Sequence, residues 1–185
     1  MPERTHVASR ASESVLEEIV FDAETIRQRV GELGREIGDY YSAGELVLVG
    51  LLKGSFIFMA DLVRCIPRPH KLDFVAAASY GSSKESSGRV RLLYDPETDV
   101  AGKHVLLVED IVDSGTTLNR LVQIFRERKP ESLEICTLLH KRVARAFVLE
   151  PRFVGFDAPV KFLVGYGLDC AEEFRHLPYI ASLKV

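Results

Sequence analysis

Residues 103–125 read KHVLLVEDIVDSGTTLNRLVQIF. An apolar run, Val105-Leu106-Leu107-Val108, leads straight into two carboxylates, Glu109 and Asp110. A short polar loop follows, Asp113-Ser114-Gly115-Thr116-Thr117. Beyond it, Leu118, Leu121, Val122 and Phe125 recur at the spacing of one helical face. The pattern predicts a buried strand, a donor-rich loop and a helix. Such a unit makes an anion site, because free N–H groups and the positive end of the helix converge on one point. The hydroxyls of Ser114, Thr116 and Thr117 can add hydrogen bonds, and Gly115 lets the backbone come close.

Two acids immediately before such a loop would repel a lone phosphate. They make sense facing hydroxyl groups or a metal beside it, so a sugar phosphate fits: diol on the acids, phosphate in the loop. The bland alternative is a strand-to-helix turn in which Asp and Ser merely cap the helix. That reading suits a lone D-S-G-T better than this complete strand–acid–acid–loop–helix unit. Other phosphate motifs are missing. No G-x-x-x-x-G-K-S/T occurs, and Gly165-Tyr166-Gly167 runs on to Leu168-Asp169-Cys170 rather than to a third glycine.

A chain of 185 residues with 46% hydrophobic content predicts one domain over residues 1–185 with a sizeable core. The net charge of -3 argues against a dedicated nucleic-acid binder, which carries a basic excess. Cys65, Cys136 and Cys170 form no C-x-x-C pair and suit a reducing compartment, so a cytoplasmic location is expected. No membrane span is expected. The best candidate, residues 46–63, is broken by Lys53, Gly54, Ser55 and Asp61, short of roughly 20 clean apolar residues. No export signal is visible at the start, and residues 1–13 read as a loose tail.

Outward from the central unit, strands alternate with helices. Asp22 reads as a helix N-cap, with Phe21 and Ile26 placed as a hydrophobic staple. Ile26, Val30, Leu33 and Ile37 then form one stripe, ending near Tyr41 and Gly44. Strands are predicted over residues 46–49, 74–78, 89–94, 105–108, 133–139 and 162–166, with residues 89–94 returning against 74–78 as a ribbon. Residues 55–65 read as a helix apolar on most sides and therefore buried. Alternation of this kind implies parallel βαβ units, whose ligands bind beyond the carboxyl ends of the strands.

The central segment resembles the signature of phosphoribosyltransferases that bind 5-phosphoribosyl 1-pyrophosphate (PRPP). With further segments in register from Val47 to about Pro178, the chain resembles the 6-oxopurine enzymes, similar to the bacterial hypoxanthine and hypoxanthine-guanine phosphoribosyltransferases. The resemblance implies an α/β, type I phosphoribosyltransferase fold. A mainly parallel central sheet is flanked by helices, and a small hood is formed by about residues 14–22 and 155–185. It implies that Glu109 and Asp110 meet the ribose diol, and that Asp113, Ser114, Gly115, Thr116 and Thr117 bind the nucleotide and its phosphate. Leu52-Lys53-Gly54 matches the pyrophosphate loop, with a cis peptide before the lysine and backbone N–H groups mattering more than the lysine charge. Arg145 and Arg175 match further pyrophosphate ligands. Ser79 and Tyr80 open a loop that closes over the site and excludes water. Lys141 reaches the 6-oxo group of the purine, which rejects adenine, whose amino group is a donor there. Phe162 stacks on the base, the main chain of Leu163 reads its edge, and Asp169 holds Mg²⁺, with Glu109 and Asp110 acting indirectly.

Without the resemblance, each of these segments has an ordinary reading. Lys53 is a surface lysine at a turn, Ser79-Tyr80 a hairpin tip, Lys141 and Arg142 a solvated basic helix start, Phe162 core packing and Asp169 a turn residue. The chain departs from the usual family pattern at three places: Leu163, where valine is common; Cys170-Ala171-Glu172; and His140, where bacterial relatives commonly carry aspartate. The implied reaction is Mg²⁺-dependent transfer of phosphoribose to hypoxanthine or guanine in purine salvage, with Asp113 taking a proton from the purine. The implied assembly is a homodimer or homotetramer, with no nucleic acid or membrane partner. The alternatives are the same chemistry with xanthine preferred, and an RNA-binding regulator on the same fold.

Overall fold

In the computed structural model of the protein, residues 15–79, 90–113, 115–142 and 147–184 are described. In chain order the elements are β1 (Leu16–Phe21), α1 (Ala23–Tyr40), β2 (Leu46–Leu52), α2 (Phe56–Cys65), β3 (Lys71–Ser79), β4 (Val90–Tyr94), β5 (His104–Val112), α3 (Thr116–Glu127), β6 (Ser132–Lys141), β7 (Phe153–Ala158), β8 (Leu163–Val164) and β9 (Ile180–Leu183). The expected tail, Tyr80 of the closing loop, Ser114 and Arg145 lie outside the described residues. Of Ser79, only the backbone is described, as the last residue of β3.

The apolar runs become the middle of a six-stranded sheet, ordered β4-β3-β2-β5-β6-β7. All its neighbours are parallel except β4, which returns antiparallel to β3 as the predicted ribbon. These strands are continuously apolar because both faces are covered. Alternate residues face opposite layers: Leu46, Leu48, Leu106 and Val108 pack with α1 and α2, whereas Val47, Val49, Val105 and Leu107 pack with α3.

Asp22 is the N-cap of α1, its carboxylate accepting the Thr25 N–H at 2.7 Å. The stripe Ile26, Val30, Leu33 and Ile37 is buried as its spacing requires. Helix α2 departs from expectation. Phe58, Met59 and Leu62 are buried, but Phe56 is 43% exposed and Ala60 is also open. The helix packs on α1 and the sheet, so its outer face meets solvent despite its apolar composition.

A second, three-stranded sheet, ordered β1-β9-β8, joins the two ends of the described chain. Its pairs are antiparallel, with Ile19 opposite Ala181 and Val164 opposite Ala181 from the other side. This is the hood, and its C-terminal part begins later than residue 155. Phe153–Ala158 instead pairs with β6 as the edge of the large sheet. The strand predicted over residues 162–166 shrinks to Leu163–Val164, because Gly165 and Tyr166 turn the chain with positive φ. No helix among the described residues is long and apolar enough to cross a membrane.

Candidate active site

Chain order places β3 on one side of β2 and β5 on the other, so the winding direction reverses between β2 and β5. Open α/β sheets bind ligands in the crevice beyond the carboxyl ends at such a switch point. Here that edge carries Lys53 and Gly54 after β2, and the acids and polar loop of β5. The Leu52–Lys53 peptide is cis.

Strand β5 runs further than its apolar run suggests. Pairing with β6 continues through Glu109 opposite Thr137, Ile111 opposite Leu139 and Val112 opposite His140. The two acids are therefore strand residues, and side chains on a strand alternate between its faces. They serve two adjoining pockets. Glu109 lines a small one of about 130 Å³ with Val112, Asp113, Gly115, Thr116 and Thr117. Asp110 lines a larger one of about 330 Å³ with Lys53, Asp113, Lys141, Phe162 and Arg175. Asp113 borders both.

The small pocket sits at the start of α3. Gly115 occupies the N-cap position with φ 69° and has no side chain of its own to cap the helix. The first residues of the helix line the pocket, so its N-terminal end faces it. A Cβ on Gly115 would lie 2.4 Å from the Phe147 ring, so both space and conformation demand glycine. His140 packs edge-on against Phe147, with centroids 5.6 Å apart, and burial lowers its basicity.

In the larger pocket Lys141 Nζ lies 3.2 Å from Asp113 Oδ2. The lysine is almost covered, at 12% side-chain exposure, so it is a fixed donor rather than a solvated surface charge. Phe162 is 48% exposed at the pocket edge, which rules out simple core packing for this ring. Leu163 is buried beside it, and Phe162 O accepts the Leu183 N–H at 3.0 Å, which ties this edge to the hood. Asp169 Oδ1 pairs with Arg175 at 2.7 Å, and Arg175 Nη1 donates to Gly167 O at 2.7 Å. Lys53 Nζ pairs with Glu172 at 3.0 Å. Glu172 was given no role by the sequence reading, since an acid in a polar turn carries no motif.

The electrostatics of the acid pair are unusual. Burial, and then the neighbouring charge of Asp110, push the Glu109 carboxyl well above the ordinary range. Burial also raises Asp110, partly countered by backbone N–H donors. Glu109 Oε2 is buried without a hydrogen-bond partner. A buried acceptor lacking a donor is costly, and ligand hydroxyls or a cation would satisfy it.

A parallel sheet with an acid pair and a glycine-led helix start at its switch point, under a hood from the chain ends, defines the phosphoribosyltransferase class. The family described as phosphoribosyl transferase domain matches residues 18–170, and the chain belongs to it. Within that family it groups with the hypoxanthine and hypoxanthine-guanine phosphoribosyltransferases. It is 48% identical to the hypoxanthine phosphoribosyltransferase of Salmonella typhimurium, over 90% of this chain and 94% of that protein. It is 47% identical to the hypoxanthine-guanine phosphoribosyltransferase of Dictyostelium discoideum, over 90% of this chain and 95% of that protein. The crystal structure of a Staphylococcus aureus hypoxanthine phosphoribosyltransferase superposes with a TM-score of 0.89 at 40% identity, covering 94% of this chain and 95% of that one.

Proposed function

We propose that the chain transfers the phosphoribosyl group of PRPP to hypoxanthine or guanine, releasing pyrophosphate and a purine nucleoside 5′-monophosphate for purine salvage in the cytoplasm. The observation that carries this reading is the Lys141–Asp113 pair at 3.2 Å, bordering both pockets of the acid ridge. A 6-oxopurine presents an oxygen at C6 and an imidazole nitrogen, N7, on one edge. An ammonium beside a carboxylate is complementary to that edge: Lys141 donates to the oxygen and Asp113 accepts from the nitrogen. Adenine places a donor against Lys141 and loses this match.

The small pocket takes the 5′-phosphate at the start of α3, and the ridge of Glu109 and Asp110 takes the ribose hydroxyls. The orphaned Glu109 oxygen gains a donor there. Lys53 and Arg175 face the pyrophosphate, and Phe162 covers the flat base. In the transfer, the bond from the anomeric carbon to pyrophosphate loosens and the bond to the purine N9 forms. Asp113 receives the imidazole proton. Fixed positioning of base and phosphate around a shifting carbon supplies most of the rate.

The acids present fit a hard cation. Asp169 and Asp110 line one cavity, although among the described residues no three ligating side chains converge. That suits Mg²⁺, which is usually held by one or two carboxylates together with substrate phosphates. Asp169 would hold it, with Glu109 and Asp110 acting through the diol, and the ion would neutralise charge on the leaving pyrophosphate. A homo-oligomer belongs to the same reading, with exposed Leu52 and Phe56 beside the pyrophosphate loop offering apolar surface.

The test is an initial-rate assay of PRPP with hypoxanthine, guanine, xanthine and adenine. Turnover with hypoxanthine or guanine and none with adenine is expected; preference for xanthine, or no turnover at all, refutes the assignment. In the same assay Lys141→Ala is expected to raise the KM for the base roughly tenfold or more, the worth of a charged hydrogen bond, while the KM for PRPP stays within about twofold. An unchanged base KM removes Lys141 from recognition.

A further inference from the structure

Lys53 and Arg175 do not stand open in the larger pocket; one carboxylate holds both. Glu172 Oε2 lies 3.0 Å from Lys53 Nζ and 3.3 Å from Arg175 Nη2. The three side chains come from distant parts of the chain, the loop after β2 and the turn before β9. Lys53 and Glu172 are well exposed, at 67% and 64%, so water screens their attraction and the contact is easily exchanged.

The backbone holds Glu172 in this position. Its φ is 67°, and Ala171 and Phe174 on either side have φ of 52° and 73°. Residues with a Cβ rarely adopt such angles, and clusters of them mark places where the surroundings impose a conformation. The imposed partner is visible: Glu172 N–H donates to Asp169 Oδ2 at 2.9 Å, while Asp169 Oδ1 grips Arg175. The turn therefore holds the Glu172 main chain beside the two cations, within reach of its exposed carboxylate.

We propose that Glu172 is an internal stand-in for the leaving pyrophosphate, neutralising Lys53 and Arg175 in the empty site and competing with the pyrophosphate group of PRPP for them. The inference rests on the placement of pyrophosphate over these two cations given above. Its chemistry is simple exchange. An incoming phosphate oxyanion displaces the carboxylate from both cations, and the carboxylate returns as pyrophosphate departs. The cations are kept poised in the empty enzyme, and product is held less tightly than an open pair of cations would hold it.

The experiment is product inhibition by magnesium pyrophosphate with PRPP as the varied substrate, in the wild type and in Glu172→Gln. The neutral amide keeps the shape and removes the competing charge. The expected result is that both the KM for PRPP and the inhibition constant for pyrophosphate fall by about three- to tenfold, the range set by losing one or two exposed ion pairs, with the KM for hypoxanthine unchanged. A purely structural role for the turn would disturb base and phosphate sites together. Constants that stay equal or rise in Glu172→Gln overturn the proposal, a rise meaning that the acid assists phosphate binding. A wild type that pyrophosphate does not inhibit competitively against PRPP overturns the placement of pyrophosphate itself, and the proposal falls with it.

Discussion

Replacing Asp113 by Asn is expected to lower turnover by roughly two to three orders of magnitude, with the KM values for PRPP and base changing by no more than a few-fold. Asp113 borders both pockets, and its Oδ2 lies 3.2 Å from the Lys141 ammonium. Asparagine preserves its size and can still accept a hydrogen bond from Lys141. What it cannot do is take a proton from the purine as the bond to the anomeric carbon forms. The loss should therefore fall on kcat, because the proton is transferred only as the reaction proceeds. Steady-state rates with hypoxanthine at saturating PRPP measure it. Near-normal turnover in this variant would eliminate Asp113 as the base.

Gly54→Ala should be nearly as damaging, through space rather than charge. A Cβ at this position would lie 1.8 Å from Asp110 Oδ2 and 2.5 Å from its Cγ, far inside any real contact. The Asp110 carboxylate is largely buried near the end of β5, which leaves it little room to retreat. Either the loop after β2 or the acid must shift, and under the proposed function both meet PRPP. A displacement of about 1 Å at reacting groups costs on the order of a hundredfold, so kcat/KM for PRPP should fall by that amount. The clash should also lower stability by about 1–3 kcal/mol. Gly31→Ala is the control. It is a helical site whose Cβ would meet nothing closer than 3.8 Å, so it should leave the kinetics intact and be neutral or slightly stabilising. Wild-type kcat/KM in Gly54→Ala would mean that the loop or the Asp110 carboxylate yields freely, and would refute the expectation.

The parts of this molecule legible in its sequence are those where local chemistry and global fold agree. The Asp22 cap, the stripe from Ile26 to Ile37 and the unit from Val105 to Phe125 each announce themselves by period or by residue type. The parts that escaped are set by partners distant in the chain. β1 and β9 are short strands that exist because they pair with each other, and neither carries a strong period of its own. Phe153–Ala158 is a strand because β6 offers it an edge. The outward face of α2 misled because apolar composition reports what could be buried, not how many layers lie above it. In the site, the two carboxylates were legible as a pair but not as a divide. Only the extension of β5 to Val112 shows that Glu109 and Asp110 look into different pockets. Glu172 was silent because its position depends on a left-handed turn that no residue type at that place predicts.

The ridge of acids has a thermodynamic side. Glu109 and Asp110 bind protons more tightly in the fold than in the unfolded chain, so folding without ligand takes up protons, and stability falls as pH climbs from the ordinary carboxylate range through their raised values. Without ligand, the electrostatic burden along this edge therefore grows as pH rises. On the proposed placement, sugar hydroxyls arriving there relieve it, so PRPP should raise the melting temperature, and by more at higher pH.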